Sequence, residues 1–270
     1  MMNQGLLRSI GDRARRVAAT TETVEVDGVR VCIVNPDRVS PGAAGRVYLD
    51  IHGGGLFMGG GECCEAMALL NADRIAALTW SVDYRMPPEH PYPAALDDCV
   101  TAYRALLRTH RPQDIIVGGT SGGGNLAAAL VLRARDEGLL LPAAVVLLTP
   151  EVDLTESGDS FQTILGIDSV LTQTLISASQ LYAAGHDLAH PYLSPLFGDF
   201  TKGFPPTFLQ SGTRDLFLSN TVRMHRALRA ADVPAELHVF EAMPHGGFGG
   251  TREDAELDAE LRRFVDSHWQ

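Results

Sequence analysis

Long apolar runs, a disulfide framework and any surplus of positive charge are missing from this 270-residue chain. No stretch reaches the roughly 20 consecutive apolar residues that a membrane-crossing helix needs, so stable membrane insertion is not expected. The first 20 residues also lack the apolar block of about 7–15 residues that marks a secretory signal. Leu6, Leu7, Ile10, Ala14, Val17 and Ala18 recur there at roughly helical spacing, with Arg8, Arg13, Arg15 and Arg16 between them. That pattern predicts a surface helix packed on the domain in preference to a targeting peptide. Cysteine is confined to Cys32, Cys63, Cys64 and Cys99, too few and too irregular for a disulfide scaffold and without a Cys-x-x-Cys pair for zinc. These cysteines read as buried hydrophobes in a protein of the reducing cytoplasm. Lys and Arg total 22 against 33 Asp and Glu, a formal net charge of −11. The field of the whole molecule therefore repels nucleic acid and anionic membranes, and neither is expected as a partner.

The composition that remains, 45% hydrophobic and 20% charged, is enough for one large core, and residues 1–270 are expected to form a single domain. Two β-type runs, 23–26 and 29–34, flank Asp27-Gly28 and predict a hairpin. From Val47 onward strands and helices alternate: strand 47–51, helix 63–78, a strand to Tyr84, helix 93–109, strand 114–117, helix 122–135 and strand 143–148. Such alternation means a parallel sheet covered on both faces. Between 153 and 205 it lapses, leaving one helix (171–184) among loops. That insertion reads as a partial cap over the sheet edge, with residues 1–22 as its other part. Phe161, Ile164, Leu165, Leu171, Leu175 and Ile176 are its candidates for an apolar wall. Strand 207–210, a helix capped by Ser219, strand 235–240 and a helix over 253–268 complete the chain.

Gly119-Thr120-Ser121-Gly122-Gly123 falls between a strand and a helix, where a sharp turn exposes the serine hydroxyl and small residues at 119 and 123 let backbone pass close by. A glycine-rich turn of this kind can also cradle a phosphate, but the spacings of the phosphate-binding motifs are absent. His52-Gly53-Gly54-Gly55 follows the strand 47–51, and its glycines can turn consecutive N–H groups into one cavity. His52 is expected to hold that loop and not to carry protons. A serine on such an elbow takes its acid and then its histidine from later loops. His245 stands past the last strand, by its spacing five residues past it. Asp215 follows the strand before, while Glu151 and Asp153 are rival acids one strand earlier.

With these motifs in order, the chain resembles the hormone-sensitive-lipase-like esterases, specifically the bacterial branch whose nucleophile motif reads Gly-Thr-Ser-Ala-Gly. The resemblance runs from about Val47 to Phe264. It includes the glycine loop, the run from Val82 through Asp83-Tyr84-Arg85 to Pro91, Pro93-Ala94-Ala95, and the loops around Asp215 and His245. It implies an α/β-hydrolase fold with an eight-stranded, mostly parallel sheet, helices on both faces and a partial helical cap. Ser121 is then the nucleophile, Asp215 the acid and His245 the base, and the backbone N–H groups of Gly54, Gly55 and Gly122 are the oxyanion donors. Gly53, Gly119, Gly123 and His52 support the motifs, and Tyr84 and Arg85 belong to the structural signature. No metal or organic cofactor is implied. The expected substrate is a small-molecule ester of short-to-medium acyl chain, with lactones among the candidates, and whether the chain pairs as a homodimer stays open.

Three departures from the family stand out: Gly122 where alanine is usual, Leu216-Phe217 after the acid, and only about 22 residues before the first strand, which points to an open site. The plant gibberellin receptors resemble the same family but have lost the catalytic histidine. His245 therefore speaks against a receptor, and a third reading is an interaction protein with a vestigial site.

Overall fold

The computed structural model describes residues 2–269; Met1 and Gln270, the ends of the expected domain, lie outside them. Eight strands form one sheet: β1 (Ala19–Val26), β2 (Val29–Pro36), β3 (Val47–Ile51), β4 (Leu78–Val82), β5 (Ile115–Thr120), β6 (Ala144–Leu148), β7 (Thr207–Arg214) and β8 (Ala235–Pro244). Their order is β1-β2-β4-β3-β5-β6-β7-β8. The first two pairings are antiparallel and the remaining five parallel. The helices of the described residues are α1 (Met2–Ala14), α2 (Glu62–Ile75), α3 (Ala94–Leu107), α4 (Gly122–Asp136), α5 (Ser160–Thr163), α6 (Ile176–Ala183), α7 (Leu218–Ala230) and α8 (Arg252–His268). No helix among the described residues is long and apolar enough to cross a membrane.

Strand periodicity divides the core into two layers. Val47, Leu49 and Ile51 of β3, Ile115 and Val117 of β5, and Val145 and Leu147 of β6 join one cluster with buried residues of α3, α4 and α7. The alternate residues Tyr48, Ile116, Ala144, Val146 and Leu148 join Ile75 of α2 and Leu257, Leu261 and Phe264 of α8 on the other face. Every residue of β3 and of β6 is buried; β6 therefore reads as an unbroken apolar run, and β3 is apolar but for Asp50, which accepts from Ser81 and Asn71. The helix expected near the N-terminus forms and packs on α2.

Several boundaries differ from those the sequence predicts. Helix α2 stops at Ile75 because Ala76 turns left-handed (φ 55°) and returns its N–H to Ala72; Leu78 is already paired with Val47 in the sheet. Helix α6 starts at Ile176 and not at 171, since the Glu156 carboxylate accepts the Leu175 N–H at 2.6 Å just ahead of its first turn. Ser219 does not cap α7. Helix α7 begins one residue before it, and the Ser219 hydroxyl accepts the Ser160 N–H while the Ser160 hydroxyl accepts the Ser219 N–H. Strand β8 runs on to Pro244, so His245 follows it directly. A bulge between Gly212 and Arg214 carries the β7–β8 pairing that far.

The turn from β5 into α4 is held by backbone packed on backbone. A Cβ on Gly119 would lie 2.2 Å from the Gly123 carbonyl oxygen, and one on Gly123 would lie 2.0 Å from that of Ile51. Neither neighbour is a side chain that can swing aside. Gly123→Ala should therefore destabilise the protein by about 1–3 kcal/mol, the usual range for overpacking. Gly5→Ala, on an exposed helix with nothing within 4 Å, should be neutral or slightly stabilising. Urea midpoints for the two variants check the contrast.

Candidate active site

Ser121, Asp215 and His245 come from three loops at the carboxyl ends of β5, β7 and β8, the edge where open α/β sheets place ligands. The structure brings them together. His245 Nε2 lies 2.9 Å from Ser121 Oγ, and His245 Nδ1 lies 2.9 Å from Asp215 Oδ1. Nδ1–H donates to the carboxylate, which leaves Nε2 free to accept from the serine hydroxyl. Ser121 itself sits at φ 58°, ψ −124°, a conformation that side-chain-bearing residues rarely hold unless their surroundings impose it. Its N–H donates to Leu148, and its carbonyl accepts from Asn125 and Glu151.

Asp215 is fully buried and has three donors: His245, the Ser211 hydroxyl at 2.6 Å and the Phe217 N–H at 3.0 Å. The Phe217 ring meets the His245 imidazole edge-on, with centroids 5.0 Å apart. Among the described residues neither rival carboxylate meets His245, whose Nδ1 is taken by Asp215. Asp153 is bound by Thr155, Ser157 and Arg223. Glu151 is buried with Oε2 unpartnered.

The glycine loop lies against the elbow. Gly54 and Gly55 have φ of 130° and 58°, and a Cβ on Gly54 would meet the Met58 carbonyl oxygen at 2.0 Å. A Cβ on Gly122 would fall 2.8 Å from the Leu56 nitrogen and 3.2 Å from that of Gly55. The loop thus occupies space that an alanine side chain at 122 would claim. His52 is buried at the loop's root, stacked on Tyr84 with centroids 4.1 Å apart, and its Nδ1 lies 2.8 Å from the Gly53 carbonyl oxygen. Burial pushes its imidazole down to about 4, so it stays neutral and fixes the loop. Tyr84 Oη donates to the His52 carbonyl, and Arg85 forks onto Asp98.

One residue of the site escapes the sequence reading. Asp168 is buried in the 153–205 segment, where Oδ2 accepts the Leu216 N–H at 2.9 Å and Oδ1 accepts those of Val170, at 2.9 Å, and His245, at 3.4 Å. It ties that segment to the acid loop and the histidine loop together. Its signal in the sequence is a lone carboxylate in an otherwise apolar stretch, the mark of an aspartate that binds nearby backbone.

Buried Glu151 has its own consequence for stability. Desolvation raises its carboxyl from 4.5 to about 8, and the nearby Glu156 adds to the shift. Below the unfolded value both states are protonated. Between that value and about 8 only the unfolded chain ionises, so the folded state loses stability as pH rises through this window. Glu151→Gln should flatten the slope and leave the variant more stable than the wild type at the alkaline end. Urea denaturation across the pH range reads this directly.

Comparison with known proteins agrees with the geometry. The family model of the α/β hydrolase fold matches residues 48–248. An acetyl-hydrolase of Streptomyces hygroscopicus is 33% identical over 237 residues, covering 87% of this chain and 79% of that protein. The crystal structure of an esterase, E25, superposes with a TM-score of 0.95 at 39% identity, covering all of this chain and 84% of the other. That of a hormone-sensitive lipase from a metagenome library gives 0.89 at 30% identity, over 100% and 91% of the two chains. The chain belongs to the α/β-hydrolase fold family, within its branch of hormone-sensitive-lipase-like bacterial esterases.

Proposed function

We propose that this chain hydrolyses carboxylic esters through an acyl-enzyme on Ser121, with His245 as general base and Asp215 as the acid that orients it. The observation that carries this reading is the unbroken hydrogen-bonded line from Asp215 through His245 to Ser121, 2.9 Å at each step, ending on a serine held in a strained elbow. His245 takes the serine proton as Oγ attacks the ester carbonyl. The N–H groups of Gly54, Gly55 and Gly122 receive the oxyanion, and the positive end of α4 lies beside it. His245 then gives its proton to the leaving alcohol and takes one from the water that releases the acid. Asp215 stabilises the imidazolium in both steps and stays ionised throughout.

Short-to-medium acyl esters fit the surroundings best. The apolar residues of the 153–205 segment split into two sets. Phe161 packs beneath the acid loop with Leu216 and Phe217. Leu165, Ile167 and Val170 face solvent. A long acyl chain gains its ~0.8 kcal/mol per methylene only where it is enclosed. The acetyl-hydrolase relative points the same way, and cyclic esters, lactones included, share the machinery.

Ser121→Ala and His245→Ala should each lower kcat by about 10⁴-fold or more, with little further loss in the double variant, because residues that act as one unit are not additive. Asp215→Asn should approach that loss, whereas Glu151→Gln and Asp153→Asn should not. More than about a tenth of wild-type turnover in Ser121→Ala would remove the mechanism, since triad losses are normally far larger. In an acyl-length series of p-nitrophenyl esters kept below their critical micelle concentrations, kcat/KM should peak at short-to-medium chains, with no interfacial activation. A maximum at the palmitoyl ester would overturn the size assignment and leave the chemistry standing.

A further inference from the structure

The root of the glycine loop holds donor atoms that ester hydrolysis leaves unused. The His52 ring cannot turn freely, because Tyr84 covers its face and Nδ1 meets the Gly53 carbonyl. A carbonyl only accepts, so Nδ1 carries the proton and Nε2 presents a lone pair. Nε2 is buried with no hydrogen-bond partner, and an interior acceptor left empty is costly enough that it calls for an occupant. Close to the ring stand Cys64, buried in the first turn of α2 with its Sγ 3.6 Å from the Ser81 hydroxyl, and Asp83, just past the end of β4. One ligand atom from each of the three residues lies within 4.8 Å of the other two.

We propose that His52, Cys64 and Asp83 form a binding site for a divalent thiophilic metal ion, Zn²⁺ above all. Imidazole nitrogen, thiolate sulfur and carboxylate oxygen are the three donor types that zinc accepts, and a water completes a tetrahedron. Zinc bonds of about 2.0–2.3 Å require the donors to close in by roughly 1 Å on loading. A cavity of about 220 Å³ lined by Cys64, Asp83, Cys32, Glu62 and Glu65 gives ion and water a way in, and its carboxylates concentrate cations there. The Gly61 N–H already aims the Asp83 carboxylate at 2.9 Å. Arg30 sits 3.5 Å from the same carboxylate, on a largely exposed side chain that can swing into solvent.

Loading is an exchange of one ion for one proton. Zn²⁺ bonds to Cys64 Sγ as the thiol proton leaves through the cavity, no electron is transferred, and thiolate and carboxylate together balance the charge of the ion. Held by His52 at the root of the loop, the ion pins the glycine loop and takes no part in hydrolysis.

The test uses the full-length chain, stripped with a chelator and dialysed against Zn²⁺ or Co²⁺ alone. One equivalent of zinc should be retained, the thermal midpoint should rise with excess Zn²⁺, and the Co²⁺ form should show a near-ultraviolet thiolate charge-transfer band. Cys64→Ser should abolish the band and weaken Zn²⁺ binding at least tenfold while ester turnover persists. Asp83→Asn should weaken binding as well, and it decides the matter should Cys64→Ser fail to fold. The site is overturned by a wild type that retains no ion and shows no thermal shift. It is equally overturned by variants that bind with wild-type affinity and spectrum, which would place the ion at a surface histidine.

Discussion

The site depends on one steric constraint: three stretches of backbone meet at the end of β5 with no side chain between them. Gly119 lies against the Gly123 carbonyl, Gly123 lies against the ends of β3 at Ile51 and His52, and Gly122 lies against the nitrogens of Gly55 and Leu56. Only glycine satisfies all of these contacts, and together they force Ser121 into its left-handed turn. The strain is held by the two core layers, since β3 and β5 are buried on both faces. Stability of the sheet and geometry of the proposed nucleophile are in this sense one property.

A second set of contacts fixes the other half of the site. Asp168 bridges the acid and histidine loops, Ser160 and Ser219 exchange hydrogen bonds, and Phe161 packs on Phe217, whose ring meets His245. The 153–205 segment is therefore a brace for Asp215 and His245 before it is a wall for substrate. That division explains why part of its apolar content is buried beneath the site and part is left facing water.

What the sequence discloses is what depends on local pattern. The alternation of strands and helices and the glycine spacing around Ser121 are local patterns of this kind, and the structure follows them. Details set by distant partners are not legible in that way. Glu241-Ala242 interrupts the apolar alternation of β8, so its continuation to Pro244 is invisible until the bulge in β7 and the Thr213 hydroxyl, which accepts the Ala242 N–H, are known. Ser219 has the composition of a cap but is drawn off by Ser160 across 59 residues of chain. Asp168 is meaningful only because Leu216 and His245, 48 and 77 residues away, come to its carboxylate. Gly122 departs from the family's usual alanine in sequence, yet the space it opens is filled by the glycine loop.

The account stands or falls on Ser121 being an activated nucleophile. Incubation with a fluorophosphonate probe, followed by proteolysis and mass spectrometry, measures that property without any assumption about substrate. The wild type should be labelled stoichiometrically on the peptide that contains Ser121, and His245→Ala should be labelled slowly or not at all, because the hydroxyl then has no base within hydrogen-bond reach. An unlabelled wild type, or equal labelling of both proteins, would contradict the account.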